Sequence, residues 1–277
     1  MKIILSRKGF DSNFGGYPSP ILPDGRMVSL PVPSKLDTAS YGSVFCGSQS
    51  HYELMKDIMP CVRLIGEKLP LKKDARCHLD PDLCRSTINR MNGWKPMFGQ
   101  ADGAETHLEN QGVKEGDLFL FFGWFRKTIL RGDRLVFDRK DRGKQIIYGY
   151  LQIGGIIRVG RDPMPEWAKY HSHANAQIPR MSNNSIYIAK DRLSWSPEIQ
   201  GAGCFYFDER LVLTKDGYSR SRWKKFDFFK NMSHHSEDSM KKDFFQSAAI
   251  GQEFVIKNNE GAEKWAKELI VKHKLVV

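Results

Sequence analysis

The stretch Leu118-Phe-Leu-Phe-Phe-Gly-Trp-Phe125 decides the fold, because every residue in it except Gly123 is apolar. A strand at the surface would alternate apolar and polar residues, so a run that is apolar on both faces predicts a strand in the centre of a sheet. A second apolar run, Ile146 to Val159, predicts another long strand. The segment between the two runs contains glycine and aspartate and many basic residues, which indicates a positively charged connection.

The remaining elements are shorter. A helix is predicted between Gly47 and Lys68, with Ser50 as its cap and a break or kink at Pro60. The sequence also predicts strands at the amino terminus, Val28 to Val32, Ser185 to Ala189, Cys204 to Phe207 and Leu211 to Leu213, the last two as a hairpin, and helices at Lys241 to Ala249 and Gly261 to Lys274. Strands and helices do not alternate in a βαβ rhythm. We therefore predict an α+β fold, with a mixed or antiparallel sheet flanked by helices.

The chain has 277 residues, which is close to the upper limit for a single core. We predict one domain over residues 1–277, which could subdivide into residues 1–95, 96–215 and 216–277. Apolar residues make up 40% of the chain, enough for a real core. No apolar run is long enough to span a bilayer and no signal peptide is recognisable, so we expect a cytoplasmic protein that does not bind membranes. Five irregularly spaced cysteines argue against a disulfide framework.

The net charge is +11, and the surplus is concentrated in two stretches, residues 126–144 and 220–230. The second stretch interleaves basic residues with Trp223 and three phenylalanines, a composition that suits a groove for a nucleic-acid backbone. The alternative is a solvated basic face over core aromatics. A phosphate-bearing partner, DNA or a nucleotide, is the expectation that this charge favours.

The loop after the first strand is a candidate phosphate site. Glycines at positions 9, 15 and 16 allow the backbone to approach a ligand, and two basic residues supply positive charge. The candidate residues are Ser6, Arg7, Lys8, Asp11, Ser12 and Ser19, for phosphate binding or, in the case of Asp11, proton transfer. The loop matches no standard phosphate-binding motif. The alternative is an ordinary loop rich in glycine and proline.

Three further segments carry candidate chemistry. Gln100 to His107, with Glu105 between them, precedes the central strand and is a candidate pocket wall, in which an amide could read a base edge. His171 and His173 lie two residues apart and would face the same side of an extended segment, with Asn175 beyond them. Gln252 and Glu253 begin an apolar strand. The two histidines could bind one metal ion or act as acid and base, but a third ligand is not identifiable, so no metal site is predicted. The sequence leaves the cofactor undetermined.

These segments resemble the third type of the nucleotide modification associated domains, from residue 2 to about residue 255. The resemblance rests on Lys2-Ile-Ile-Leu-Ser-Arg-Lys-Gly-Phe-Asp-Ser, Phe98-Gly-Gln, Gly116-Asp-Leu-Phe-Leu-Phe-Phe-Gly-Trp-Phe-Arg126, His-Ser-His-Ala-Asn and Gly251-Gln-Glu-Phe-Val255. It implies a bacterial or phage protein associated with hypermodified DNA bases, with Arg126 among the matching positions. A shorter likeness, around Tyr148-Gly-Tyr-Leu-Gln-Ile, is similar to the barrel core of PUA-like modules and implies a barrel within the sheet.

The functional hypothesis is a DNA-associated protein of a base-modification or phage-conflict system. As an enzyme, it would hold phosphate with Arg7 and Lys8, orient a base with Gln100 and Gln252, and move a proton with His107, His171 or Glu253. A base flipped out of a duplex would stack on an aromatic residue such as Trp124. Two alternatives stay open: a non-catalytic reader of modified bases, and an enzyme of free nucleotides or sugar-phosphates.

Overall fold

The computed structural model describes residues 1–175, 183–248, 253–273 and 275–276. Within these ranges the helices are α1 (His51–Ile58), α2 (Asp102–Asn110) and α3 (Glu260–Lys272). The strands in chain order are β1 (Ile3–Arg7), β2 (Ser19–Ile21), β3 (Val32–Pro33), β4 (Phe45–Cys46), β5 (Gln49–Ser50), β6 (Cys61–Leu64), β7 (Glu67–Pro70), β8 (Cys77–His78), β9 (Met97–Ala101), β10 (Leu118–Arg131), β11 (Arg134–Phe137), β12 (Lys144–Arg158), β13 (Asn184–Ala189), β14 (Arg192–Leu193), β15 (Ser196–Gln200), β16 (Ala202–Phe205), β17 (Arg222–Trp223), β18 (Phe245–Gln246), β19 (Glu253–Ile256) and β20 (Leu275–Val276).

One large mixed sheet organises the molecule, and its main path runs β19-β1-β10-β12-β13-β9. β1 is parallel to β10, whereas the other pairs along this path are antiparallel. Residues 118–122 of β10 are fully buried, as their apolar character on both faces predicts. The α+β class is therefore confirmed, with the two long apolar runs as the central strands of a mixed sheet.

The sheet curls until its two end strands approach each other. β19 and β9 lie at opposite ends of the path, yet Nε2 of Gln100 on β9 donates a hydrogen bond of 2.6 Å to Oε1 of Glu253 on β19. We call the gap between these two strands the seam. Side chains bridge it, and no backbone ladder crosses it among the described strands. The described sheet therefore does not close into a barrel, and the barrel expected from the PUA-like likeness is not formed.

Aromatic rings fill the inside of the curl. The Phe98 ring centroid lies 4.9 Å from that of Phe119, 5.2 Å from Phe121 and 5.9 Å from Tyr187. On the outside, Trp223 packs edge-on against Phe122. These contacts pack β9 firmly against β10 and β13.

A smaller core lies beside the sheet and includes α1. The Ser50 side chain accepts a hydrogen bond from the Glu53 N–H group, and the Glu53 carboxylate accepts one from the Ser50 N–H group, which forms a capping box. The helix ends at Ile58, with Met59 as its C-cap, so the predicted break at Pro60 is confirmed. Met55 and Tyr41 are fully buried in this core.

The helical run predicted to reach Lys68 is wrong beyond Pro60, because residues 61–70 form the hairpin of β6 and β7. Three further predicted elements are wrong. The hairpin over residues 204–213 is absent, because β16 pairs with β12 and β20. Glu209–Leu211 forms a 3-10 turn, and the Asp208 side chain caps it by accepting the Arg210 N–H group. The strand expected at residues 28–32 is displaced to β3, where Val32 and Pro33 pair with β8. The described part of the helix expected at residues 241–249 contains β18, which pairs with β17. In each case the buried apolar residues belong to turns or two-residue strand pairs, although their spacing in the sequence is typical of a longer strand or helix.

The helices of the described residues are all too short and too polar to cross a membrane.

Candidate functional site

Four polar side chains meet inside the curl at the seam, and we call Ser6, Lys8, Gln100 and Glu253 the seam cluster. Oε1 of Glu253 lies 3.1 Å from Ser6 Oγ, 3.1 Å from Lys8 Nζ and 2.6 Å from Gln100 Nε2. The Glu253 side chain is 1% exposed and that of Lys8 is 9% exposed. A carboxylate removed from water in this way is stabilised by its ammonium partner and two further donors.

Strand alternation explains why these residues converge. Ser6 pairs with Phe121 of β10 on one side and with Glu253 of β19 on the other, so all three share the inner face. Lys8 follows at the end of β1, and its ammonium lies 4.4 Å from the centre of the Phe98 ring. Oε2 of Glu253 is buried and has no hydrogen-bond partner among the described residues. This oxygen is therefore available to a ligand or a transferred proton.

A second carboxylate lies near the seam cluster. Glu105 projects from α2, is buried, and accepts a hydrogen bond of 2.8 Å from the Tyr187 hydroxyl. Burial raises the pKa of Glu105, hydrogen bonds with Ser185 and Tyr187 oppose this, and the charges of Glu109 and Glu253 contribute to a net increase. Two carboxyl groups, one paired with an ammonium and one with a raised pKa, are an arrangement suited to general acid and base catalysis.

Three histidines and a carboxylate form a second group, the histidine cluster, which consists of His78, Asp80, His171 and His173. Asp80 Oδ1 lies 3.3 Å from His171 Nε2 and accepts the Gly99 N–H group at 2.7 Å. Burial by itself would raise the pKa of Asp80, but its contact with His171 and the neighbouring positive charges hold that pKa well below the usual range.

The His173 ring packs directly on the backbone of β9. A Cβ atom added to Gly99 would lie 2.2 Å from His173 Cδ2, so only glycine permits this approach. Burial lowers the pKa of His173 to about 4, which favours its neutral form. The ligand atoms of His78, Asp80 and His173 all lie within 4.8 Å of one another, so these three residues could hold a metal ion.

The two clusters adjoin through Lys8. The positive charge of its ammonium contributes to lowering the pKa of Asp80 and opposes the increase in the pKa of His78. His78 Nδ1 lies 3.0 Å from Asp37 Oδ2. Burial lowers the pKa of His78, but the hydrogen bond to Asp37 and the two aspartate charges outweigh this and raise it. A reacting group bound between the clusters would therefore meet carboxylates, imidazoles and an ammonium.

A basic pocket of about 390 Å³ opens on the outer face of β1. The Cζ atom of Arg220 lies 4.1 Å from the centre of the Trp124 ring, and Arg220 donates a hydrogen bond to Ser12. Arg7 lies over the Phe122 ring and donates to the Ala248 carbonyl group. The pocket is lined by basic, polar and aromatic residues that include Arg7, Asp11, Ser12, Trp124, Gln145, Arg220 and Ser247.

The electrostatics of this pocket favour an anion. Burial lowers the pKa of Arg7, the charge of Asp11 counters this effect, and the charge of Arg220 lowers it again. Ser247 Oγ and Gln145 Oε1 are buried and have no hydrogen-bond partner among the described residues. Burial also lowers the pKa of Arg220. Two guanidinium groups and a buried hydroxyl that has no partner among the described residues therefore line a pocket in which a phosphate group would be well placed.

The structure brings together most of the residues predicted from the sequence. Ser6, Lys8, Gln100 and Glu253 form the seam cluster, His171 and His173 belong to the histidine cluster, and Arg7, Asp11, Ser12 and Trp124 line the basic pocket. Asp11 stabilises the loop that lines the basic pocket, because its Oδ1 accepts the N–H groups of Asn13 and Phe14. The roles assigned to these residues stay predictions.

Four predicted residues make other contacts. Ser19 accepts the Leu30 N–H group, and Arg126 donates two hydrogen bonds to the Asp138 carbonyl group. Asn175 donates to the Leu36 carbonyl group. His107 contacts the Ser233 hydroxyl and stacks 4.0 Å from the His234 ring. Gln252 lies outside the described residues. We therefore centre the candidate site on the two clusters and the basic pocket.

Sequence reasoning missed His78, Asp80 and Arg220 as site residues. His78 and Asp80 have the same spacing of two residues as His171 and His173, and that repeated spacing was a usable signal. In the sequence, Arg220 is one of several basic residues in the stretch 220–230. Its contact with Trp124 joins segments nearly a hundred residues apart, which local spacing does not reveal.

Comparison with known proteins identifies the family. The model of the nucleotide modification associated domain 3 matches residues 2–257 of the 277-residue chain. No curated protein and no solved structure matches. The family description associates the chain with nucleotide modification, as the resemblance in the opening strand and loop implied. Since the match spans nearly all of the chain, the protein belongs to the nucleotide modification associated domain 3 family.

Proposed function

We propose that this protein acts on nucleotides of DNA in a base-modification or phage-conflict system. The phosphate of the target nucleotide binds in the basic pocket, and its base is processed by the groups at the seam. The membership of a nucleotide modification family supports the choice of substrate.

The observation that carries this proposal is the end of β1. Arg7 faces outward into the basic pocket, and the next residue, Lys8, contacts buried Glu253 at 3.1 Å. Neighbouring Cα atoms are about 3.8 Å apart, so one peptide unit joins an anion site to a proton-transfer group. Lys8 also lines the basic pocket, so the pocket and the seam cluster meet at the end of β1, where a nucleotide would place its phosphate in the pocket and its base at the seam.

In this mechanism the guanidinium groups of Arg7 and Arg220 bind the phosphate. Glu253 accepts a proton, and Glu105, whose pKa is raised, donates one. Gln100 orients the base through its amide. A base within a duplex would have to leave the stack to reach these groups, and Trp124 in the wall of the phosphate pocket would stack on a neighbouring base.

The test is nucleoside mass spectrometry of DNA from cells with and without the protein, and of modified and plain DNA incubated with purified protein. We expect a mass change that depends on the protein and falls about 100-fold or more in rate in Glu105→Gln. Glu115→Gln is the matched control, since Glu115 makes the same change of charge in the exposed turn after α2.

The outcomes separate the alternatives. If masses do not change but the protein binds modified DNA more tightly than plain DNA, it is a reader of modified bases. If it converts only free nucleotides or sugar-phosphates, it is an enzyme of precursor supply. Equal rates for Glu105→Gln and Glu115→Gln would contradict the role of the buried carboxyl group.

A further inference from the structure

We propose that His78, Asp80 and His173 bind one divalent transition-metal ion. Their ligand atoms lie within 4.8 Å of one another. Ligand atoms bind such ions at roughly 2.0–2.2 Å, so small side-chain rotations would bring these three onto one centre. Two imidazoles and a carboxylate on one side of an ion leave the remaining coordination positions to water or substrate.

Hydrogen bonds already orient both histidines as ligands. His173 Nδ1 lies 2.7 Å from Asn184 Oδ1, and Asn184 Nδ2 donates to the His173 carbonyl group, which fixes the orientation of the amide. His173 therefore carries its proton on Nδ1 and presents the lone pair of Nε2. Asp37 Oδ2 has the same relation to His78 Nδ1 at 3.0 Å. Metal-binding histidines are held in this way by carboxylate or carbonyl oxygens.

The carboxylate ligand is held as well. Asp80 Oδ1 accepts the Gly99 N–H group at 2.7 Å and lies 3.3 Å from Nε2 of His171, whose side chain is 0% exposed. His171 Nδ1 accepts the His173 N–H group, so the proton of the His171 ring is on Nε2, the atom that lies 3.3 Å from Asp80 Oδ1. His171 is thus a positioning residue that fixes a ligand without being one.

The charge of the surroundings suits a dication. Asp37 and Asp80 are both buried, and together they would balance two positive charges, while Lys8 is balanced by Glu253. Nitrogen ligands disfavour Mg²⁺ and Ca²⁺, which prefer oxygen, and favour Mn²⁺, Fe²⁺, Co²⁺ or Zn²⁺. The bound ion would stand beside the seam cluster, with its open positions next to the proposed reacting groups.

The experiment uses tag-free, full-length protein that has been dialysed against a chelator. Titration with Co²⁺, followed by calorimetry and visible absorption, should show one ion per chain, and Zn²⁺ should compete for it. His78→Gln, Asp80→Asn and His173→Gln should each lower the affinity at least 100-fold. His171→Gln should lower it about 10- to 100-fold, as expected for a residue that orients a ligand.

His234→Gln is the matched control, because His234 is exposed and contacts His107 outside the cluster. Circular dichroism and melting of the metal-free variants establish whether each one folds. Absence of binding by folded wild type, binding that the ligand substitutions leave unchanged, or a preference for Mg²⁺ would each overturn the proposal. Metal binding is measured without substrate, so its result is independent of the proposed nucleotide chemistry.

Discussion

The Lys8–Glu253 ion pair is the part of the site that a single substitution would disturb most. Both groups are nearly excluded from water, and their charged atoms are 3.1 Å apart. Ser6 and Gln100 bind the same oxygen of Glu253, so the pair belongs to a network. Within such a network the loss of one charge costs more than the loss of both, because the remaining charge stays buried.

Lys8→Met should therefore lower the free energy of unfolding by about 3 kcal/mol. Combining Lys8→Met with Glu253→Gln should recover part of this loss, since no charge is then left unpaired. Urea unfolding of the four members of this double-mutant cycle measures the coupling. Additive effects of the two substitutions would show that the pair is not coupled in solution.

His51 should make the protein less stable in mild acid. It is 4% exposed, and burial lowers its pKa from 6.5 to about 4. Above pH 6.5 the ring is neutral in both states, so it imposes no penalty. As the pH falls from 6.5 towards 4, only the unfolded chain gains the proton, and up to about 3 kcal/mol of stability is lost.

His51→Phe removes this titration and keeps a ring of similar shape. The stability difference between wild type and variant, measured by urea unfolding from pH 7 to pH 4, should change in favour of the variant as the pH falls. A difference that stays constant with pH would contradict the buried, neutral state of His51.

At the level of elements, β9 joins the two clusters because it presents different residues to its two sides. Gln100 and Phe98 face the seam, whereas Gly99 lies against His173 and binds Asp80 through its N–H group. One short strand thereby places an amide, an aromatic ring and a bare backbone within reach of the candidate chemistry.

Gly99→Ala should disrupt the histidine cluster. The new Cβ would lie 2.2 Å from a ring atom of buried His173, so we expect a destabilisation of roughly 1–3 kcal/mol and a loss of metal binding. Gly103→Ala is the control, because no atom lies within 4 Å of its added Cβ on α2. That substitution should stabilise the helix slightly. Equal melting temperatures for the two variants would argue against the close approach.

The sequence predicts elements better than it predicts how they meet. β10 and β12 were foreseen because residues buried on both faces are apolar throughout. β18 was not foreseen, since two-residue ladders such as Phe245–Gln246 carry no period. Alternation puts Ser6 and Lys8 on one face of β1, but only the pairing with β19 brings Glu253 to them. His78 and His173 come together only through the path of the chain in three dimensions, which the sequence around either histidine does not reveal.

For the whole molecule, the net charge of +11 should make DNA binding strongly dependent on salt. Exposed Arg131, Arg134 and Arg139 lie along β10, β11 and the following turn. We expect the logarithm of duplex affinity to fall linearly with the logarithm of salt concentration. Arg134→Gln with Arg139→Gln should reduce the slope by about one unit for each phosphate contact removed.

Lys264→Gln, an equal change of charge per site on the exposed face of α3, serves as the control. Fluorescence anisotropy over a salt series gives each slope. If the arginine variants and the lysine variant have the same slope as wild type, the charge of this region does not contribute to the DNA interface.

The seam is where we expect molecules from solvent to reach the inside of the curled sheet. Separating paired strands breaks a series of backbone hydrogen bonds, whereas parting β9 from β19 breaks the side-chain contacts of Glu253 and its neighbours. Local opening needs the least free energy where such a series is missing. A molecule that enters there must first displace the bonds of Glu253, so admission to the interior and release of this carboxylate from its partners are a single event.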